Sequence, residues 1–152
     1  MSSTGPPASR WAWIALGCNL GHRGSALGCL RTALGSAGIA IEGVSTEILT
    51  RPVGVTAQGD FHNQVLLARS PAPWPAHRWL ELCLAAEDAC GRRPTYRWGP
   101  RRADADLILL GRSGEIASDA DPAVPHPGLA QRPFWHRLIA EIDPTVAAAL
   151  SG

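Results

Sequence analysis

Lysine is absent from this chain: all fourteen basic side chains among its 152 residues are arginines. This absence excludes mechanisms that need a lysine amine, such as Schiff-base formation or phosphate binding by the lysine of a P-loop. The formal net charge is only +1, so no overall field attracts nucleic acid and any electropositive site must be local. We therefore expect small-molecule partners and no nucleic acid.

Long apolar runs are also missing, and the first ten residues are polar and proline-rich, without the apolar core of a signal peptide. We expect no membrane partner. The four cysteines (Cys18, Cys29, Cys83 and Cys90) form no CxxC pair and have no metal-ligand spacing with the histidines. We interpret all four as apolar filler, which suits a protein of the reducing cytoplasm.

Length and apolar content predict a single domain over residues 11–152 behind a disordered tail at residues 1–10. Hydrophobic patterning predicts strands, helices and, between two of them, a proline-rich link at residues 71–75. The predicted strands are Trp11–Leu16, Ile39–Val44, Thr46–Leu49, Gln64–Ala68 and Asp104–Leu110, with Glu115–Ser118 returning as a hairpin. The second and third also fit one strand with a bulge near Gly43. The predicted helices are Leu27–Leu34, Trp79–Glu87 and Pro144–Leu150.

Two aspartates, one residue apart, follow an arginine-rich segment that begins at Gly91. Side chains alternate faces along a strand, so Asp104 and Asp106 point the same way, repel each other and need a cation between them. With Arg92 and Arg101 nearby to meet phosphates, the pattern favours a Mg²⁺-nucleotide site. The alternative is a solvated strand end with salt bridges to neighbouring arginines.

The indole of Trp98 favours the nucleotide interpretation, because an exposed tryptophan beside arginines is costly unless a ligand covers it. The chain has neither a GxxxxGK[ST] motif nor a kinase glycine-rich loop. Neither of the two common nucleotide-binding architectures is therefore expected.

A second substrate pocket is indicated by Phe61 and Asn63, which follow a ten-residue polar stretch from Thr50 to Gly59. Alternate strand residues share a face, so this pair offers an aromatic plane and an amide to a flat heterocycle. The alternative is a core phenylalanine and a turn asparagine. His126, held between two prolines, either contacts a phosphate or ribose or is structural.

Four motifs in this order resemble the 6-hydroxymethyl-7,8-dihydropterin pyrophosphokinase family: ALGCNLG, TRPVGVTAQGDFHN, GRRPTYRWGPRRADADLILLG and VPHPGLAQRPF. The likeness runs from about Trp13 to Pro144. It implies transfer of diphosphate from ATP to the hydroxymethyl group of the pterin, with two Mg²⁺ ions. It also implies an α+β fold, a three-layer α/β/α sandwich with a ferredoxin-like core and a mostly antiparallel sheet. We expect the enzyme to be monomeric and cytoplasmic.

The resemblance also assigns roles to residues. The catalytic set is Arg92, Arg101, Asp104 and Asp106, and the two aspartates are the metal ligands. The residues around ATP are Glu87, Arg92, Trp98, Arg101, Leu107, His126 and Arg132. The residues around the pterin are Thr50, Arg51, Val53, Phe61, Asn63, Trp98, Asp104 and Phe134.

Some positions depart from the family pattern. Pro94 stands where a second arginine is usual, and Asp121 and Ala123 stand where an arginine and a threonine commonly precede VPH. These changes bear on the outer ATP contacts. The alternative functions are a pterin- or nucleotide-binding paralogue without transfer, a paralogue in a methanopterin-like pathway, and a plain structural domain.

Overall fold

A computed structural model describes residues 6–19, 23–50, 61–90, 103–112 and 115–151 of the chain. The strands are β1 Ala8–Asn19, β2 Ala40–Val44, β3 Ile48–Thr50, β4 Phe61–Pro75, β5 Ala103–Leu110, β6 Asp119–Ala120 and β7 Ala123–Val124. The helices are α1 Arg23–Ser36, α2 Ala76–Ala89, α3 Pro133–Ile142 and α4 Pro144–Ser151, and a 3₁₀ turn spans Leu129–Gln131. No helix in these ranges is long and apolar enough to cross a membrane.

The main sheet has the strand order β2-β4-β1-β5, with β3 also paired to β4, while β6 and β7 form a separate two-stranded sheet. Every pairing between these strands is antiparallel. The expected mixture of helices with a mostly antiparallel sheet is therefore confirmed. The alternative of one continuous strand was wrong, because β2 and β3 are separate strands. The register of β2 against β4 does shift between Ile41 and Gly43, near the expected bulge.

The two faces of this sheet have different neighbours. On the packed face, which contains Ile14 and Leu16 of β1, buried residues of α1 and α2 join the core. On the open face, which contains Trp13 and Ala15, buried residues of α3 and α4 cover part of the sheet. Alternation along β1 produces this division, since successive side chains point to opposite sides. The helix residues involved are Leu27, Leu30, Leu34, Trp79, Cys83 and Ala86 on the packed face, and Trp135, Leu138, Ile139 and Val146 on the open face.

Several predicted boundaries were wrong. Strand β1 begins at Ala8, so residues 8–10 belong to the sheet and not to a disordered tail. The predicted proline-rich link is the end of β4, where Ala8 pairs with Pro75 and Ser9 with Trp74. The Glu115–Ser118 hairpin reduces to one bridge between Leu110 and Ala117. Helix α3 was not predicted at all.

The interpretation of all four cysteines as filler was wrong for two of them. Cys29 of α1 and Cys90, which follows α2, form a disulfide across 61 residues of sequence. The bond joins the two helices of the packed face. Cys18 and Cys83 lie outside the disulfide and are buried, as predicted. Burial raises the pKa of the Cys83 thiol, which keeps it protonated and unreactive.

Candidate functional site

On the open face, the sheet changes from apolar to polar toward the Asn19 end of β1. Asn63 of β4, Gly17 of β1 and Asp104 of β5 pair in one row across three strands. In the adjacent row, Ala15 lies between Val65 and Asp106. The predicted common orientation of the two aspartates is thus accompanied by an amide on the same face.

A cavity of about 690 Å³ lies over these rows. That volume suits a small organic ligand. The described residues that line it are Ala15, Leu16, Gly17, Thr50, Phe61, Asn63, Asp104, Asp106, Gln131, Arg132, Phe134 and Trp135. Seven of them were predicted as site residues from the sequence: Thr50, Phe61, Asn63, Asp104, Asp106, Arg132 and Phe134.

The floor of the cavity is formed by small residues. Gly17 has no side chain, and a Cβ there would lie only 3.5 Å from the Asn63 Oδ1 atom. A larger side chain at this position would project between Asn63 and Asp104. The glycine therefore leaves room for a ligand to lie against the sheet.

The amide of Asn63 is held in place by its neighbours. Its Nδ2 donates hydrogen bonds to the Thr50 Oγ1 atom at 2.7 Å and to the Phe61 carbonyl oxygen at 3.3 Å. Phe61 and Phe134, both half-buried, are two aromatic rings in the cavity wall. This wall offers flat apolar surfaces and a fixed amide to a planar polar ligand.

The opposite wall contains the two carboxylates, of which Asp104 is half-buried. The surrounding protein desolvates Asp106 and so raises the pKa of its carboxyl, although His126 and Arg132 act to lower it. Solvent still reaches Asp106 from the cavity side. A carboxylate that lacks enough compensating charge is stabilised in its ionised form by a bound cation.

The residues present fit magnesium, because carboxylate oxygens are ligands that Mg²⁺ prefers. Within the described parts of the chain, no group of three or more His, Cys, Asp or Glu side chains is arranged to hold a metal. Such a pair of carboxylates therefore suits an ion that takes its remaining ligands from water and substrate phosphates, as magnesium does.

His126 lies beside the carboxylates, and hydrogen bonds fix both its backbone and its imidazole ring. Its backbone N–H donates to the Ile108 carbonyl at 2.9 Å, and its Nδ1 accepts from the Gly128 N–H at 2.9 Å. Partial burial lowers the pKa of His126, against an opposing effect of Asp106. The ring is therefore neutral at pH 7, with its proton on Nε2.

Three residues predicted around ATP are not among the described residues that line the cavity: Glu87, Leu107 and His126. Glu87 is buried on the packed side, where its Oε2 accepts a hydrogen bond from the Ala105 N–H at 2.8 Å. Leu107 is buried in the core of the packed face. The other predicted site residues, Arg51, Val53, Arg92, Trp98 and Arg101, lie outside the described residues.

Sequence reasoning missed five of the lining residues: Ala15, Leu16, Gly17, Gln131 and Trp135. For Ala15 and Gly17 a signal existed, since two small residues at alternate positions of a strand share one face and leave space there. For Trp135, the spacing to Leu138, Ile139 and Ile142 is that of one helix face, which would also have revealed α3.

Comparison with known proteins agrees with this geometry. Residues 13–144 match the family model of 7,8-dihydro-6-hydroxymethylpterin-pyrophosphokinase. The chain is 36% identical over 136 residues to the 2-amino-4-hydroxy-6-hydroxymethyldihydropteridine pyrophosphokinase of Bacillus subtilis, covering 86% of this chain and 77% of that protein. It is 34% identical over 134 residues to the protein of the same name from Methylorubrum extorquens, covering 88% and 82%. The protein of the same name from Mycobacterium bovis is 32% identical over 146 residues, covering 91% of this chain and 76% of that protein.

Proposed function

The chain belongs to the 7,8-dihydro-6-hydroxymethylpterin-pyrophosphokinase family, and we propose that its cavity on the open face is where ATP and the pterin react. The protein is an ATP-dependent diphosphotransferase. It transfers diphosphate from ATP to the hydroxymethyl group of 6-hydroxymethyl-7,8-dihydropterin, giving AMP and the pterin diphosphate, in folate synthesis. The observation that supports this site best is the row Asn63–Gly17–Asp104, which brings an amide and a carboxylate to one cavity.

We assign the pterin to the wall that contains Phe61, Asn63 and Phe134. A pterin is flat and has donors and acceptors along one edge, so aromatic rings cover its faces while the fixed amide of Asn63 reads that edge. Thr50 supports the pterin indirectly, because its hydroxyl orients the Asn63 amide. We also assign to the pterin site Arg51, Val53 and Trp98.

We assign the phosphates to the wall that contains Asp104, Asp106 and Arg132. Asp104 and Asp106 would hold two Mg²⁺ ions, which neutralise charge on the phosphate oxygens when bound. Arg132 adds a guanidinium suited to phosphate oxygens. Glu87, Arg92, Trp98, Arg101, Leu107 and His126 complete the proposed ATP site, with Arg92 and Arg101 as catalytic residues.

The reaction needs positioning more than covalent chemistry. The pterin hydroxyl attacks the β-phosphorus of ATP and loses its proton to water as the O–P bond forms. The bond from that phosphorus to the AMP oxygen breaks, and AMP leaves. Asp104 lies in one row with Asn63, so a pterin held by the amide presents its hydroxymethyl group toward the carboxylate wall.

The finer architecture is also proposed. The order β1-α1-β2-β4-α2-β5 along the chain and β2-β4-β1-β5 across the sheet supports a ferredoxin-like core. Core clusters on both faces support a three-layer α/β/α sandwich. We further propose that residues 11–152, together with the first residues of β1, form a single domain, and that the protein is a monomer with a cytoplasmic location. The Cys29–Cys90 disulfide would be unusual in that location, because cytosolic thiols are normally kept reduced.

The test is a transfer assay with the purified chain, MgCl₂, ATP and the reduced hydroxymethylpterin. We expect AMP and the pterin diphosphate in equal amounts, and neither product when the metal is removed with EDTA. A reaction without pterin controls for ATP hydrolysis. Binding of both ligands without AMP formation would instead identify a binding protein.

A further inference from the structure

One aromatic ring contacts side chains from both proposed halves of the site. Trp135 is the third residue of α3, and its side chain, which is 4% exposed, lines the cavity. Its ring centroid is 5.1 Å from that of His126, nearly perpendicular at 85°, and 6.1 Å from that of Phe134, at 65°. The Arg132 Cζ atom lies 4.9 Å above the same ring.

These contacts fix orientation as well as position. Aromatic pairs prefer edge-on or offset arrangements, and a guanidinium is attracted to the face of an indole, so both contacts favour particular orientations. Arg132 is held further, since its Nη1 donates to the Gly128 carbonyl at 3.2 Å. A Cβ at Gly128 would collide with that guanidinium and lie 3.2 Å from the His126 ring, so Arg132 and His126 are closely packed around Gly128.

We propose that Trp135 is a positioning residue. Its indole fixes the orientation of Phe134, which is assigned to the pterin, and of Arg132 and His126, which are assigned to the nucleotide. The inference rests on the proposed function, since it uses the roles assigned there to these three residues. Because one buried ring supports all three, loss of the ring should loosen both substrate sites together. A residue that only fills the core would not have this effect.

The test is equilibrium binding by calorimetry of two ligands: the reduced hydroxymethylpterin, and a non-hydrolysable ATP analogue with Mg²⁺. For Trp135→Leu we expect Kd to rise roughly tenfold for each ligand, because small displacements of aligned groups are costly. For Trp135→Phe we expect rises of only about threefold, since an aromatic face remains for Arg132 and Phe134.

Trp79 provides the matched control. It is fully buried in α2 on the packed face, where its ring lies 5.0 Å from that of Trp74 at an angle of 57°. Trp79→Phe and Trp79→Leu should lower the melting temperature while both Kd values stay unchanged. If Trp135→Leu does not fold, Trp135→Phe carries the test. An unchanged Kd for either ligand in the folded Trp135 variant would overturn the proposal.

Two further variants separate this inference from the function on which it rests. Phe134→Ala should weaken the pterin alone, and Arg132→Ala should weaken the nucleotide alone. If they do and Trp135→Leu affects only one ligand, the positioning role is wrong and the site assignment stands. If neither weakens its ligand, the assignment itself is wrong, and the inference falls with it.

Discussion

The two faces of the central sheet belong to the same strands but present different side chains. The packed face is apolar to the end of the strands, where Cys18, Ala103 and Ala105 are all buried under α1 and α2. On the open face, α3 and α4 cover only the apolar half of the sheet. Beyond them, Gly17, Asn63 and Asp104 border a cavity.

This difference shows how one sheet supplies both stability and a site. The packed face has apolar side chains at alternate positions of β1, and each methylene buried there contributes about 0.8 kcal/mol of stability. The open face instead ends in small and polar residues that a helix could not bury without cost. Changes on the two faces should therefore have separable consequences.

The largest effect is expected from the carboxylates of the open face. Asp104→Ala and Asp106→Ala should each lower turnover by about 10³-fold or more, because several kcal/mol of charge neutralisation is lost. Transfer of labelled diphosphate measures this. Asp88→Ala, at an exposed carboxylate of α2, is the control and should retain full activity. Full activity in Asp104→Ala or Asp106→Ala would contradict the assignment of these two residues as metal ligands.

The disulfide tests the packed face. Cys29→Ser should lower the free energy of unfolding by about 2–4 kcal/mol, because the unfolded chain regains the freedom that the crosslink removes. Denaturant unfolding with and without a thiol reductant measures this, and the reductant should affect only the wild type. Equal stability of wild type and variant without reductant would mean that the bond does not form.

Neighbouring residues of β1 offer a direct comparison of the faces. Gly17→Val should raise the pterin Kd by roughly tenfold or more with little change in stability, because the new side chain enters the cavity. Cys18→Val, pointing to the packed face, should cost about 1–3 kcal/mol of stability through overpacking and leave the Kd unchanged. Calorimetry and thermal unfolding of both variants check this. Reversed outcomes would contradict the division of the faces.

The smallest effect is expected in how stability depends on pH, through the carboxyl of Asp106. The pKa of folded Asp106 lies above its ordinary value of 3.8 because the site desolvates it. The folded state therefore holds this proton more tightly than the unfolded chain does, and stability falls as the pH rises through the shifted pKa. Asp106→Asn removes that penalty, so the inactive variant should melt a few degrees higher at pH 7.

The advantage of Asp106→Asn should disappear below pH 3.8, where the wild-type carboxyl is protonated in both states. Thermal unfolding from pH 3 to pH 8 checks this. Asp88→Asn serves as the control. A variant that melts below the wild type at pH 7 would mean that the carboxylate is stabilised without a bound cation.

Local patterns were sufficient for much of the fold. The prediction of Asp104–Leu110 differs by one residue from β5, and Leu27, Leu30 and Leu34 do form one buried face of α1. These signals succeed because they depend on residues close in sequence. Strand β4 was predicted too short, because three prolines normally argue against a strand, yet they fall at its end beyond the central pairings.

The site was predictable where motif and alternation agreed. Phe61, Asn63, Asp104 and Asp106 were identified from the sequence, and the structure brings them to one cavity. Contacts between distant residues were not predictable. Cys29 and Cys90 meet only because α1 and α2 pack side by side. Trp135 touches His126 only because α3 folds back on the open face.

The most direct measurement of the central claim is amide chemical-shift mapping of the ¹⁵N-labelled protein as the reduced pterin is added with Mg²⁺ and the ATP analogue. We predict that the largest shifts fall on Gly17, Asn63, Asp104 and Asp106, and that core residues of α1 shift little. Shifts concentrated instead around the smaller cavity at Arg10 and Arg69 would contradict the assignment of the site to the open face.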